Sequence, residues 1–274
     1  MAIGNPLICD THLHSFDVHK PYNDATYVPP RLDIRHYSEW VRTWGVRRAV
    51  LVHASVDGDN CDHLLACLQS HVGLDLRGVV GVQTSDVDLR YLHDAGVRAI
   101  RIQDRSRLGV QQIQQLAEQA RLASETQWHL EINTEPGRFD VLRSALESMP
   151  ASVDLVLDHI GHLRPDDAAG RASLFRLMET GRVWVKLSLT RIFSHRLNDD
   201  YSPLQELVAA LVQRFPLQCV WGSDWPHVMT EEPVPSLPKM LDFMRETLTS
   251  SQFHAVMWTN PQKLYDFPPV PATT

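Results

Sequence analysis

The sequence predicts an α/β protein folded as a (β/α)8 barrel, one domain covering residues 1–274. Three observations predict it. Eight short apolar, β-branched runs alternate with longer segments of helical period. Glycines stand immediately before several of those runs. The length of 274 residues, 43% of them hydrophobic, matches one barrel of roughly 250 residues.

Taken in order, the first strand is expected over Leu7–His14 and the second over Arg48–His53. In the second, Ala49-Val50-Leu51-Val52 is an unbroken apolar stretch, which suits a strand covered on both faces. Gly45 precedes it, where a left-handed helix C-cap would release the chain. The third strand is expected over Arg77–Gln83 and the fourth over Val97–Ile102, the latter announced by Gly96 in the same way. An amphipathic helix is expected next, over Leu108–Ala123, with Leu108, Ile113, Leu116, Ala120 and Ala123 on one stripe. Strands five and six follow as Gln127–Asn133 and Val153–His159, the sixth built on Leu155-Val156-Leu157. Gly181 opens the seventh, Val183–Ser188. A helix with Leu207, Val208, Leu211 and Val212 on one face separates it from the eighth, Cys219–Asp224. Two irregular stretches, Asp17–Pro30 and Trp225–Pro238, follow the first and last strands, where barrel loops carry function. The tail from Pro268 to Thr274 is expected to fray.

The formal charge of −7 and the lack of a Lys/Arg run speak against nucleic acid or an anionic membrane as partner. A few arginines can still reverse the field inside a cleft, so an anionic small molecule fits. Cys9, Cys61, Cys67 and Cys219 lack the spacing of a zinc or disulfide framework, which suits reduced thiols in the cytoplasm. The first residues lack the pattern of a secretion signal, and no apolar run approaches the roughly 18 residues of a membrane span. The expected protein is soluble and cytoplasmic, and a homo-oligomer is compatible with it.

Polar, reactive side chains gather at the predicted strand ends. His12 and His14 form an HxH pair whose period-two spacing sends both imidazoles to one side of the strand. His159 closes the sixth apolar run and Asp224 the eighth. Taken singly, each has an ordinary reading: a hydrogen-bonded core histidine, a surface strand, a helix N-cap. Their coincidence at one mouth is the signal.

The segments Asp10-Thr11-His12-Leu13-His14, Asp158-His159-Ile160-Gly161 and Trp221-Gly222-Ser223-Asp224-Trp225-Pro226-His227 resemble the amidohydrolase superfamily, in the branch of 2-pyrone-4,6-dicarboxylate lactonase and related sugar-lactone hydrolases. The tyrosine-bearing Thr26-Tyr27-Val28-Pro29, the loop at Ala54-Ser55, the stretch from Val97 through Arg107, Trp184-Val185-Lys186 leading to Arg191, and Thr259-Asn260-Pro261 extend the resemblance along the chain. It implies a distorted TIM barrel with the active site at the C-terminal ends of the strands. It also implies hydrolysis of a carboxylated lactone: His12, His14 and His159 would polarise the carbonyl, and Asp224 would act as general base toward water. Arg101, Arg107 and Arg191 would clamp substrate carboxylates, with Tyr27, Ser55, Gln103, Asn133 and His227 as further substrate contacts. Lys186 reads equally as a buried amine paired with a carboxylate and stays outside the catalytic set.

Asn133 stands where that lactonase carries a tyrosine, and Gln103 where it carries asparagine, which points to the same reaction on a different ring. Three imidazoles and a carboxylate are by ligand chemistry a complete set for zinc or manganese, held by the same four residues. The resemblance implies instead that no metal is required. Lactone isomerisation, metal-dependent decarboxylation or C–C cleavage, and a non-catalytic binding role remain as alternatives.

Overall fold

The computed structural model describes residues 7–22, 27–83, 88–106, 109–192, 200–230 and 234–269. All eight expected strands are present: β1 (Ile8–Leu13), β2 (Val46–Val52), β3 (Asp75–Val80), β4 (Val97–Arg105), β5 (His129–Asn133), β6 (Leu155–Leu157), β7 (Val183–Leu187) and β8 (Cys219–Trp221). They pair in parallel in chain order, with helices between them, as a nearly closed (β/α)8 barrel. The seam between β8 and β1 is bridged just beyond the strand end, where Asp224 N donates to His12 O and His14 N to Trp225 O, both at 2.8 Å. This irregular closure is the distortion, and it draws the segment carrying Asp224 against the one carrying both N-terminal histidines.

Continuous burial explains the unalternating strand sequences: β1, β6, β7 and β8 are buried at every residue. Gly45, Gly96 and Gly181 all take positive φ, at 83°, 108° and 77°, as their place before a strand requires. The helix Gln205–Arg214 buries the predicted Leu207, Val208, Leu211 and Val212. The helix expected over Leu108–Ala123 is corrected. Strand β4 runs on to Arg105 and pairs antiparallel with Val110–Gln111, a 3-10 turn covers Gln112–Gln115, and the α-helix spans Leu116–Glu125. Gly109 at φ +67° and the bond from Gln103 N to Gln112 Oε1 hold the earlier residues against β4, out of helical conformation.

Arginines at the N-terminal ends of the strands tie down the chain end. Arg48 lies over Trp258 with its guanidinium carbon 4.0 Å from the ring centre and donates to Pro268 O; Arg77 donates to Tyr265 O and Asp266 O. Pro268, expected to fray, is therefore anchored, and residues 270–274 lie outside the described residues. The described cysteines are all free. Among the described residues, no helix is long and apolar enough to cross a membrane.

Candidate active site

The four predicted residues meet at the C-terminal mouth. The His12 ring centre lies 5.1 Å from that of His14 and 4.8 Å from that of His159. His12 Nε2 is 3.8 Å from Asp224 Oδ1. None of the four is more than 7% exposed. The backbone is bent to bring two of them in. His159, Ile160, Gly161 and His162 form a run of left-handed residues, and Asp224 has φ 63°. A β-branched residue such as Ile160 pays for that conformation with about 1–3 kcal/mol, a strain that persists only where the surroundings enforce it. Asp224 does not cap a helix; its Oδ2 accepts from Arg191 Nε at 2.5 Å and from Thr190 Oγ1 at 3.2 Å.

At Gly222 the approach of β8 to β1 leaves no room: a Cβ there would lie 2.7 Å from His12 Cβ and 2.9 Å from His12 N. Gly222→Ala is expected to push His12 out of place, costing about 1–3 kcal/mol of stability and most of the activity. Thermal denaturation and kinetics check it together; a variant with both unchanged would mean that the seam yields freely.

Electrostatics fix the resting charges. Arg101 Nε donates to Asp158 Oδ2 at 2.7 Å, and Lys186 Nζ to Glu131 Oε2 at 2.5 Å. With Arg191 on Asp224, three carboxylates meet three cations. Burial alone would raise the Asp224 carboxyl, but Arg191, then His159, His12 and His14, hold it well below the usual carboxylate range. Burial, helped by His12 and Arg101, pushes His14 down to about 3, and burial drives His159 well below the ordinary histidine range. Both rings are neutral at neutral pH. His14 Nδ1 lies 2.8 Å from Val52 O and must donate to it, so its Nε2 carries a lone pair.

The amidohydrolase family profile matches residues 9–267 of this chain. The chain belongs to the amidohydrolase family. It is similar to the 2-pyrone-4,6-dicarboxylate hydrolase of Comamonas testosteroni, 29% identical over an alignment of 280 positions, gaps included, that covers 93% of this chain and 89% of that one. It is 27% identical over 272 residues to the 4-sulfomuconolactone hydrolase of Rhizobium radiobacter, with 93% and 89% covered. Its fold matches the crystal structure of a probable 2-pyrone-4,6-dicarboxylic acid hydrolase from Acinetobacter baumannii with citric acid bound. That match has a TM-score of 0.79 at 22% identity, covering 95% of this chain and 99% of the other.

In this amidohydrolase the predicted substrate contacts are placed unevenly. Ser55, Arg101 and Gln103 line one cavity of about 180 Å³, together with His53, Gln83 and Gln112. Tyr27 feels Arg191, Arg101 and Asp224, although burial dominates and pushes its hydroxyl up to about 12. Asn133 Nδ2 donates to Gln103 Oε1 at 2.9 Å, and His162 Nε2 lies 2.8 Å from Asn133 Oδ1. Asn133 thus shapes the pocket through a network with Gln103 and His162. His227 is buried with its ring edge-on to Trp40, 6.2 Å between centres. Arg107 lies outside the described residues.

Sequence reading did not single out Glu131, Asp158, His53 or His162. Glu131 had a usable signal: it sits two residues before Asn133 in an apolar strand, where an acid must have a buried partner. For a divalent ion, His12, His14 and Asp224 offer ligand atoms within 4.8 Å of one another, as do His12, Asp158 and His159. The bare Nε2 of His14 and the ionised Asp224 fit such an ion by donor chemistry.

Proposed function

We propose that this amidohydrolase hydrolyses the ring ester of a carboxylated lactone, with Asp224 as the general base. The observation that carries the reading is the pairing of Asp224 Oδ1, 3.8 Å from His12 Nε2, with an Oδ2 already held by Arg191 and Thr190. One oxygen is anchored and the other faces the imidazoles, which is how a base is aimed. A water between Asp224 Oδ1 and His14 Nε2 would give one proton to Asp224 while His14 accepts the other hydrogen in a hydrogen bond. The hydroxide attacks the lactone carbonyl carbon. The resulting oxyanion is stabilised by imidazole N–H groups, for which His12 and His159 are the better placed, His14 having turned its hydrogen to Val52. Collapse breaks the ring C–O bond, and the leaving oxygen takes the proton from Asp224, restoring the carboxylate.

The relatives named above act on a dicarboxylate and a sulfonated lactone, and an anionic ring suits this pocket as well. Arg101 lines the cavity while its Nε braces Asp158, which leaves further N–H groups of the fork for a carboxylate or sulfonate. Arg107 joins it by family resemblance. The altered polar lining, Gln103 hydrogen-bonded to Asn133, favours a ring whose substituents differ from those of 2-pyrone-4,6-dicarboxylate.

A divalent ion, when bound, would be held by His12, His14, His159 and Asp224 and would act as a Lewis acid on the carbonyl. We propose that none is required, because Asp224 and Asp158 are already matched by Arg191, Arg101 and Lys186. The test is a screen of carboxylated and sulfonated lactones for proton release, with chelator-treated protein and again with zinc or manganese. Release at an undiminished rate after chelation is expected. A turnover without proton release would identify an isomerase; activity appearing only with added metal would overturn the metal-free reading; no turnover of any lactone would overturn the hydrolase reading.

A further inference from the structure

Beneath the imidazoles, inside the barrel, the Lys186 ammonium lies among three acceptors. Glu131 Oε2 lies at 2.5 Å, His12 Nδ1 at 3.2 Å and Asp158 Oδ1 at 3.3 Å, and all four side chains are completely buried. We propose that Lys186 is a positioning residue that fixes His12 as the tautomer with its hydrogen on Nε2, so that His12 offers the substrate a donor instead of a lone pair. The value of that donor rests on the hydrolase reading above; the tautomer does not.

An ammonium has no lone pair, so its contact with an imidazole nitrogen is favourable only if that nitrogen is bare. The competing arrangement would have His12 Nδ1–H donate to Asp158 Oδ1, 3.3 Å away. That would set an N–H against the ammonium 3.2 Å off. His12 Nδ1 and Lys186 Nζ both stand 3.3 Å from Asp158 Oδ1 without the alignment of a hydrogen bond, which the Lys186 to His12 contact has. The lysine cannot turn away. Glu131 holds it, and Glu131 is itself fixed by Tyr265, whose hydroxyl donates to Oε1 at 2.7 Å. Asp158 is pinned through its other oxygen by Arg101. With Nδ1 taken, the His12 hydrogen sits on Nε2, an atom with no hydrogen-bond partner among the described residues, on the side of Asp224.

His14, two residues along, receives the opposite instruction, because a carbonyl stands behind its Nδ1 where an ammonium stands behind that of His12. One strand thereby presents a donor and an acceptor side by side. The same arrangement opposes metal ligation by His12, which would have to lose its Nε2 hydrogen while Lys186 occupies the only other site for it.

Nitrogen-15 NMR of metal-free protein labelled at histidine reads the tautomer directly, with His12 assigned by its missing signals in His12→Gln. A bare Nδ1 and a protonated Nε2 are expected in the wild type; the reverse assignment would overturn the proposal and, needing no substrate, would leave the hydrolase reading standing. Lys186→Met should move the His12 hydrogen toward Nδ1, tighten zinc binding at least about tenfold, and lower kcat about 10²-fold with KM little changed, the scale of one lost oxyanion donor. Should the single variant not fold, Glu131→Gln with Lys186→Met restores the charge balance and carries the same expectation. A folded variant of either kind with the wild-type tautomer and zinc affinity would sink the idea.

Discussion

Asp224→Asn is expected to lower kcat by about 10³- to 10⁴-fold, the full contribution of a positioned general base, with KM changed by no more than about threefold. Asparagine keeps the shape, and its carbonyl can still accept from Arg191 and Thr190 as Oδ2 does now. What it cannot do is take a proton from water. The exchange removes one charge from beside Arg191, whose side chain is 17% exposed and can recruit solvent, so the fold should survive and circular dichroism should show an unchanged thermal transition. A kcat within tenfold of wild type in a folded variant would remove Asp224 from the role of base. Ligand affinity kept without any turnover in either protein would point instead to a binding function.

The barrel was legible because its strands are buried on both faces and therefore spell continuous apolar runs, and all eight were found. What the pattern hid was where chemistry bends the backbone. Leu155–Leu157 reads as a strand running through His159, but the strand stops at Leu157 and a left-handed turn aims the imidazole. Cys219–Asp224 likewise reads as one strand, yet it ends at Trp221 and Asp224 sits at positive φ. Nothing in hydrophobic period reports such a turn. The four residues at the mouth were visible through their strand-end positions and their resemblance to a family. Their partners were not: that Arg191 would lie on Asp224, Arg101 on Asp158, and Lys186 between Glu131 and His12 depends on distances across the barrel between residues far apart in the chain. The short ribbon at Val110–Gln111 was misread as helix for the same reason, since its partner strand overrides a local helical stripe.

Arg191→Met should carry two separable losses, because the residue faces two anions in turn. In the free enzyme its Nε braces Asp224. Burial pushes that carboxyl up, and Arg191 is the largest influence pulling it down. The base works as a carboxylate, so a depressed pKa keeps it active as pH falls, and the wild-type kcat/KM should stay level down to about pH 5. Without the guanidinium only the imidazoles oppose burial, so the acid limb should move to higher pH, activity now being lost as pH falls through it. The second loss is of substrate binding. If Arg191 also meets a substrate carboxylate, kcat/KM at pH 8 should fall about 10²- to 10³-fold, the scale of 2–5 kcal/mol for truncating one partner of a buried charge pair. A lactone without an anionic group separates the two, since it should show the displaced acid limb with little loss at pH 8. An unmoved limb would mean that Arg191 does not tune Asp224, and an equal loss on charged and uncharged rings would mean that it does not hold the substrate.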